Sequence, residues 1–204
     1  MNAFQALLKR TVDILGSSLG LLFFAPLLGA IALLIKLDSP GPVFFLQERV
    51  GREKKLFKIF KFRTMVPGAE KIGAGYEVSE GDFRITRVGQ FLRRWSLDEL
   101  PQLINVFRGE MSLVGPRPTL LYQVEAYSPR QMKRLEVKPG MTGLAQVSGR
   151  NSLSWPERIE LDVRYAENFS LFRDFLILAV TPLVLLKKDM IYTPETKNKK
   201  EEIS

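Results

Sequence analysis

One long uncharged segment near the start of the chain decides how the rest is arranged: Ile14-Leu-Gly-Ser-Ser-Leu-Gly-Leu-Leu-Phe-Phe-Ala-Pro-Leu-Leu-Gly-Ala-Ile-Ala-Leu-Leu-Ile35. A helix of roughly 20 apolar residues is long enough to cross the hydrocarbon core of a bilayer. A buried core helix is rarely apolar on every side over such a length. The apolar region of a signal peptide is usually only about 7–15 residues long. The segment therefore predicts a helix that enters a membrane.

Two features bear on how this helix meets the membrane. Pro26 lies near its middle, where a proline removes one helical hydrogen bond and usually kinks the helix. Both flanks are basic: Lys9 and Arg10 precede the segment, and a larger set follows it, namely Lys36, Arg49, Arg52, Lys54, Lys55, Lys58, Lys61 and Arg63. Basic flanks favour the cytoplasmic side. A plain spanning helix satisfies this rule at one end and a re-entrant helix broken at Pro26 satisfies it at both, so the sequence favours the second and leaves the first open.

The remainder of the chain predicts an α+β fold that is mostly helical, with a small β-hairpin and the N-terminal re-entrant membrane helix broken at Pro26. Runs rich in Phe, Val and Ile predict the hairpin strands at 43–46 and 56–62, and residues 67–82 form a Gly-rich loop. Further helices are predicted over 88–95, 96–107, 129–136 and 155–167. The apolar stretch 171–188 is short for a span and predicts a helix on the membrane interface.

The same features divide the chain into three parts. Residues 1–38 form the re-entrant membrane hairpin, and residues 39–191 form a cytoplasm-facing catalytic domain with interfacial helices. Residues 192–204 form a polar tail, with the composition of a disordered segment.

Composition narrows the possible chemistry. The chain of 204 residues has no cysteine and no histidine, which excludes disulfides, thiolate nucleophiles, Ser-His-Asp triads and His- or Cys-ligated metals. A metal site built from carboxylates alone indicates a hard ion such as Mg²⁺. The net charge of +8 indicates an anionic partner, such as lipid headgroups, nucleotides or nucleic acid.

Two adjacent carboxylates stand out in Ser96-Leu-Asp-Glu-Leu-Pro-Gln102. In the structural interpretation, Ser96 and Glu99 form a capping box at a helix start and Asp98 complements the helix dipole. In the functional interpretation, a helix N-terminus lowers the pKa of Asp98 and leaves it ionised as a nucleophile toward phosphorus, while Glu99 holds a metal. Glu99 does not easily cap a helix and bind a metal at once, and the motif taken alone favours the cap.

A second motif, Gly115-Pro-Arg-Pro118, places an arginine between two prolines. Pro116 fixes its own φ, and Pro118 restricts Arg117 to an extended conformation. Such an arginine is aimed by a stiff backbone and suits bidentate binding of phosphate oxygens, although a rigid turn with an ordinary surface arginine has the same pattern. Arg93 and the Gly-rich segment that ends at Arg150 are weaker signals of the same kind.

Four ordered motifs together resemble the monotopic phosphoglycosyl transferases, the bacterial sugar transferase family, in its small form without extra domains. The motifs are Lys58-Ile-Phe-Lys-Phe-Arg-Thr-Met65, Leu97-Asp-Glu-Leu-Pro-Gln-Leu103, Gly115-Pro-Arg-Pro118, and Lys138-Pro-Gly-Met-Thr-Gly through Gly149-Arg-Asn151. The resemblance covers nearly everything from Lys9 to about Lys188. The family's membrane helix breaks at a Ser-Pro pair, whereas this chain has Ala25-Pro26 and so lacks the hydroxyl beside the kink.

The resemblance implies transfer of a sugar-1-phosphate from a UDP-sugar to a polyprenyl (undecaprenyl) phosphate, with release of UMP, as the first membrane step of glycoconjugate assembly. Asp98 would be the nucleophile that carries the phospho-sugar, and Glu99 would help to hold Mg²⁺. Matching positions around the substrates are Lys61, Arg93, Pro116, Arg117, Pro118, Arg150 and Asp162. The expected place is the bacterial inner membrane, with the active site on its cytoplasmic face.

Two rival interpretations belong to other classes. A non-catalytic, membrane-anchored basic module that binds anionic lipid or nucleic acid explains the charge and the apolar segment. It does not explain the paired carboxylates or the Pro-Arg-Pro clamp, and nucleic acid is not an expected partner. A regulatory subunit that has lost activity is disfavoured by the intact pair Asp98 and Glu99.

Overall fold

The uncharged segment lies within the longest helix, α1 (Ala3–Asp38), of a computed structural model that describes residues 2–72, 78 and 81–186. Asn2 caps this helix by accepting a hydrogen bond from the backbone N–H of Gln5. Its length and composition would allow it to cross a membrane. The helix continues through Pro26, where the sequence predicts a break, because hydrogen bonds on either side of a single proline hold the helix together.

The predicted hairpin is confirmed as an antiparallel pair, β1 (Phe44–Val50) and β2 (Leu56–Phe62), with Phe44 opposite Phe62 and Val50 opposite Leu56. The first strand is longer than predicted: it continues through Gln47, Glu48 and Arg49, of which only Glu48 lies on the more exposed face. The turn between the strands contains Glu53 and Lys54 in left-handed conformations.

The segment that carries the paired carboxylates departs from its prediction. Helix α2 (Arg87–Arg94) is found as expected, but the single helix predicted over 96–107 is wrong. Residues Leu97–Glu99 form one 3₁₀ turn, and helix α3 (Gln102–Arg108) begins only after Pro101. Ser96 causes the change, because its left-handed backbone (φ 54°, ψ 23°) redirects the chain between the two helices.

The second half of the chain is built from short elements and two long helices. The helix predicted over 129–136 is found as α5 (Pro129–Met132), continued by a 3₁₀ turn at Lys133–Glu136, and the helix predicted over 155–167 is found as α7 (Trp155–Glu167). Two strands that the sequence analysis missed pair in parallel, with Ser112 beside Gly140 and Val114 beside Thr142. In chain order the elements are β3 (Ser112–Val114), α4 (Leu121–Glu125), α5 (Pro129–Met132), β4 (Gly140–Thr142), α6 (Leu144–Ser148), α7 (Trp155–Glu167) and α8 (Leu171–Leu186).

Both halves of α1 pack against the rest of the molecule. In the first half, Gly16 lies against Leu113 and Gly20 lies against Leu103, so the missing side chains allow close approach. In the second half, Ile31 and Ile35 are buried in a cluster that also contains Phe62 and Leu92; the residues packed against this cluster are Leu28, Ala32, Val43, Val88 and Leu97. The helix therefore lies along the molecule and does not extend away from it.

Polar residues of α1 lie on the packed side of the helix. Lys9 donates to the Asp174 carboxylate of α8 (2.5 Å) and to the carbonyl oxygen of Val114 (2.9 Å). The Asp13 carboxylate accepts hydrogen bonds from the Ser112 hydroxyl and the Leu113 backbone N–H, both at 2.9 Å. These contacts hold α1 against β3 and α8.

The outer faces of α1 and α8 are apolar and exposed. On α1 the exposed side chains include Leu15, Leu19, Leu22, Phe23, Leu27, Leu33, Leu34 and Leu37, and on α8 they include Phe172, Phe175, Leu176, Val180, Leu183 and Leu186. The α+β, mostly helical fold class is confirmed. The division at residues 38 and 191 and the interfacial place of α8 stay predictions, and residues 187–188 and the tail at 192–204 lie outside the described residues.

Candidate active site

The paired carboxylates lie where α2, β2 and the Pro-Arg-Pro segment meet. The Ser96 hydroxyl accepts a hydrogen bond from the Arg150 guanidinium (2.9 Å) and caps no helix. Glu99 bonds to cations instead of reaching back to Ser96. The capping-box interpretation is therefore wrong. The side chains of Ser96 and Glu99 both face the candidate site.

Glu99 is held between two cations. Lys61 of β2 donates to Oε1 at 2.8 Å, and the Arg117 guanidinium donates to Oε1 at 2.5 Å and to Oε2 at 3.2 Å. Burial alone would raise the pKa of Glu99, but the charges of Arg117 and Lys61 outweigh it and hold this pKa well below its usual range. Glu99 is therefore ionised at neutral pH.

Asp98 has the opposite electrostatic character. Burial raises the pKa of its carboxyl to about 6; Lys61 opposes this shift, and the negative charge of Glu99 adds to it. The sequence analysis expected a lowered pKa from a helix N-terminus. The structure places Asp98 in the 3₁₀ turn that precedes α3, where burial dominates. Within the described residues its carboxylate accepts no hydrogen bond, which leaves its oxygens available for reaction.

Arg117 follows a backbone segment that is held by two hydrogen bonds to the neighbouring strand. The Gly115 N–H donates to the Thr142 carbonyl, and the Gly140 N–H donates to the Pro116 carbonyl, each at 2.8 Å. A side chain on Gly140 would lie 2.0 Å from the Gly115 nitrogen, so only glycine permits this approach. The guanidinium itself is half exposed, which suits an anion that arrives from solvent.

Two further arginines complete a ring of positive charge. Arg93, at the end of α2, donates through Nε to the Thr64 hydroxyl at 2.8 Å and lies close enough to lower the pKa of Asp98. Arg150 has a left-handed backbone (φ 51°), and burial lowers its pKa. With Lys61 and Arg117, the cations around the site outnumber the two carboxylates, so the site is built to receive an anion.

The comparison with known proteins matches this arrangement to a family. The model of the bacterial sugar transferases matches residues 4–188. The chain belongs to the bacterial sugar transferase family. The predicted family and the predicted class of enzyme, a sugar-phosphate transferase, are thereby confirmed.

Curated members of the sugar transferase family align over most of this chain. The UDP-N-acetylgalactosamine-undecaprenyl-phosphate N-acetylgalactosaminephosphotransferase of Aeromonas hydrophila is 44% identical over 89% of the chain and 44% of its own length. The undecaprenyl-phosphate galactose phosphotransferase of Salmonella typhimurium is 42% identical over 91% of the chain and 42% of its own length. The exopolysaccharide production protein ExoY of Rhizobium meliloti is 41% identical over 88% of the chain and 86% of its own length. The chain thus spans less than half of the first two proteins and most of the third.

One predicted site residue of this sugar transferase lies behind the site. Asp162 of α7 is buried in an ion pair with Arg134, and its Oδ1 atom has no hydrogen-bond partner among the described residues. Arg134 in turn donates to the carbonyl oxygen of Arg117 at 2.8 Å. Asp162 therefore reaches the site through Arg134 and the Arg117 backbone.

The sequence analysis missed Arg134 and Thr64 as neighbours of the site. Arg134 lies in a short 3₁₀ turn, and its partners come from residues far away in the chain, so no local pattern marks it. Thr64 stands in the motif that begins at Lys58 and could have been found there as a hydroxyl beside basic residues.

The sugar transferase site offers carboxylate oxygens that suit a magnesium ion. Across the described ranges, 2–72, 78 and 81–186, no three acidic residues gather as a metal cluster. Magnesium is often bound by only one or two carboxylates together with substrate phosphates. Asp98 and Glu99 provide such oxygens, and a metal at Glu99 would share or replace its contacts with Lys61 and Arg117. The donor chemistry fits a hard ion that arrives with its substrate.

Proposed function

We propose that this sugar transferase moves a sugar-1-phosphate from a UDP-sugar to a polyprenyl phosphate and releases UMP. The observation that carries the proposal is the Asp98 carboxylate, which has no hydrogen bond to any described residue and is surrounded by Lys61, Arg93, Arg117 and Arg150. The names of two relatives, both of which contain undecaprenyl phosphate, support the choice of substrates. Those relatives act on different sugars, so the donor sugar is not specified by them.

The proposed reaction has two displacement steps. An Asp98 oxygen attacks the sugar-bearing phosphorus, the bond between this phosphorus and the bridging oxygen breaks, and UMP leaves with the electron pair. An oxygen of the polyprenyl phosphate then attacks the same phosphorus, the bond to Asp98 breaks, and the carboxylate is restored. A covalent aspartyl phospho-sugar intermediate of this kind predicts ping-pong kinetics.

The surrounding residues have separate tasks in this scheme. Arg117 binds phosphate oxygens from a fixed backbone, and Lys61, Arg93 and Arg150 balance the charge of the diphosphate. Magnesium, when bound by Glu99 and the substrate phosphates, supplies further charge neutralisation at the transferred group. A pKa of about 6 keeps Asp98 largely ionised at neutral pH.

We further propose that α1, although its helical structure continues through Pro26, bends at this proline in the membrane and so enters and leaves on one face as a re-entrant helix. Lys9 near its start and Ile35 near its end both contact the same folded body. A straight helix rises about 1.5 Å per residue, so a spanning α1 would carry these contacts to opposite sides of the bilayer. The basic flanks favour the cytoplasmic face of the inner membrane, where a water-soluble UDP-sugar meets a lipid acceptor.

The test is UMP release by detergent-purified protein with Mg²⁺, undecaprenyl phosphate and a panel of UDP-sugars. We expect release with at least one sugar, no release after Asp98→Asn or with a chelator, and full release after Glu53→Gln, which removes an exposed carboxylate on the hairpin turn. Intact-protein mass spectrometry without acceptor should detect one added phospho-sugar. Turnover that persists in Asp98→Asn would refute the covalent scheme.

A further inference from the structure

The buried guanidinium of Arg134 is held from several directions. Its Nε donates to the Asp162 carboxylate at 3.1 Å, and Nη2 makes a second, shorter bond to the same oxygen. Nη1 donates to the hydroxyls of Tyr127 (2.5 Å) and Thr119 (3.2 Å). Nη2 also donates a hydrogen bond to the backbone carbonyl of Arg117. Arg134 is 3% exposed, so its position is fixed by these bonds.

A buried ion pair of this kind is not explained by stability alone. Apolar residues of similar volume often stabilise a core as well as a buried ion pair does. The pair of Arg134 and Asp162 does, however, supply a directed N–H to one particular carbonyl. Only a planar guanidinium can bind a carboxylate through two nitrogens and still donate in other directions, and lysine cannot.

The carbonyl oxygen that accepts this hydrogen bond belongs to Arg117, whose guanidinium must point toward the donor diphosphate in the proposed function. Pro116 and Pro118 restrict the backbone on either side of Arg117. Within the extended region that Pro118 leaves to it, ψ of Arg117 can still vary, and the bond from Arg134 narrows that variation. If the peptide after Arg117 rotated, the Arg117 side chain would point in a different direction relative to it. The Arg117 guanidinium would then move away from Glu99.

We propose that Arg134, held in place by Asp162, is a positioning residue for Arg117 and thereby for the binding of the donor diphosphate. This inference rests on the proposed function and assigns Asp162 an indirect task in place of substrate contact. In this scheme Arg134 and Asp162 act on the diphosphate only through the backbone from which Arg117 reaches the phosphate.

A double-mutant cycle tests the proposal. Arg134→Gln should lower kcat/KM for the UDP-sugar on the order of 10- to 100-fold, mainly through KM, because a small displacement of a binding group is enough for such a loss. In an Arg117→Ala background the same change should alter kcat/KM less than about twofold. An equal loss in both backgrounds would overturn the proposal, since Arg134 would then act independently of Arg117.

Two further variants separate positioning from folding. Arg130→Gln removes an exposed arginine that also pairs with α7, through Glu160, and should leave kcat/KM unchanged. The double variant Arg134→Met with Asp162→Leu replaces the ion pair by apolar groups and should fold, while it loses the bond to Arg117. If this folded variant had wild-type kcat/KM, the proposal would be wrong.

A readout without turnover distinguishes failure of this inference from failure of the proposed function. In ¹⁵N-arginine-labelled protein, the ion-paired Arg117 guanidinium should give a protected resonance, assigned by its loss in Arg117→Lys. Arg134→Gln should remove that protection and Arg130→Gln should not. Protection that survives Arg134→Gln would reject the positioning role even if no UDP-sugar were a substrate. Lost protection together with absent UMP release in wild type would reject the proposed function alone.

Discussion

At the scale of single residues, Arg117 combines a fixed backbone with a two-pronged contact to Glu99. Charge-assisted hydrogen bonds of this type contribute about 1.5–3 kcal/mol each. In the proposed function the same two-pronged guanidinium binds phosphate oxygens of the donor. Arg117→Lys keeps the charge but loses the second prong, so we expect it to raise KM for the UDP-sugar on the order of 10- to 100-fold in steady-state UMP release. Arg117→Ala should lose more. Arg130→Lys is the control, and a KM within twofold of wild type for Arg117→Lys would contradict the assigned role.

The raised pKa of Asp98 predicts an effect on stability. A carboxyl whose pKa is about 6 when folded and about 3.9 when unfolded binds its proton more tightly in the folded state. The ionised side chain therefore destabilises the fold, fully above pH 6 and not at all below about pH 4. We expect Asp98→Asn to raise the free energy of unfolding at pH 7.5 by about 1–2 kcal/mol, since Asp98 is partly exposed.

Thermal melting monitored by tryptophan fluorescence measures this difference. The melting temperature of Asp98→Asn should exceed that of wild type at pH 7.5, and the gap should close as the pH falls from 6 toward 4. A difference in melting temperature that stays constant with pH, or a variant less stable than wild type at pH 7.5, would show that burial of the ionised Asp98 side chain does not destabilise the fold.

The same pKa predicts the acid limb of the reaction. Only the ionised form of Asp98 can attack phosphorus, and ionisation is lost as the pH falls through about 6. We expect kcat/KM to fall about tenfold per pH unit below pH 6 and to level off above it. Glu99, with its lowered pKa, should not contribute to this limb. A profile that is flat from pH 5 to pH 8 would argue against Asp98 as the nucleophile.

At the scale of elements, the helices and strands with a regular apolar pattern could be predicted from the sequence. The turn and the short strands that lack such a pattern could not. Helix α7 has the bounds expected from its apolar pattern, and the hairpin strands follow their Phe-rich runs. The turn at Leu97–Glu99 depends on the left-handed backbone of Ser96, which no propensity favours. The parallel pair β3–β4 is too short to show an alternating pattern.

The candidate site likewise contains residues that could be predicted from the sequence and a contact that could not. Motif resemblance named Lys61, Arg93, Arg117 and Arg150, and the structure gathers these around Asp98 and Glu99. Their chemical roles stay predictions. The bond from Arg134 to the Arg117 carbonyl depends on a tertiary contact between separate elements, and a single sequence carries no signal for it.

The strand pair that supports Arg117 also depends on glycine. A Cβ atom at Gly140 would lie 2.0 Å from the Gly115 nitrogen and 2.5 Å from the Thr142 carbonyl oxygen. Since the clash is with backbone, Gly140→Ala should destabilise the protein by about 2–3 kcal/mol and reduce UMP release. In contrast, Gly29→Ala in α1 meets no atom within 4 Å and should be neutral or stabilising. Comparable melting temperatures for the two variants would contradict the proposed strand contact.

At the scale of the whole molecule, the path of α1 can be tested directly because the chain has no native cysteine. Single-cysteine variants Ala3→Cys, Ala25→Cys and Ser39→Cys mark the start, middle and end of the helix. In inside-out vesicles, a membrane-impermeant maleimide should label the first and third, while the lipid-facing second should stay protected. Labelling of Ala3→Cys and Ser39→Cys from opposite sides would show a spanning helix and refute the re-entrant proposal.

The bond between Lys9 and Asp174 also has a consequence for the order of events during synthesis. The two residues are separated by 165 positions, so the ribosome completes α1 long before it makes α8. At about 5–20 residues per second, the ammonium group waits on the order of ten to thirty seconds for its carboxylate. The Lys9 ammonium group must therefore stay hydrated until α8 has been made, and the arrival of α8 completes this contact.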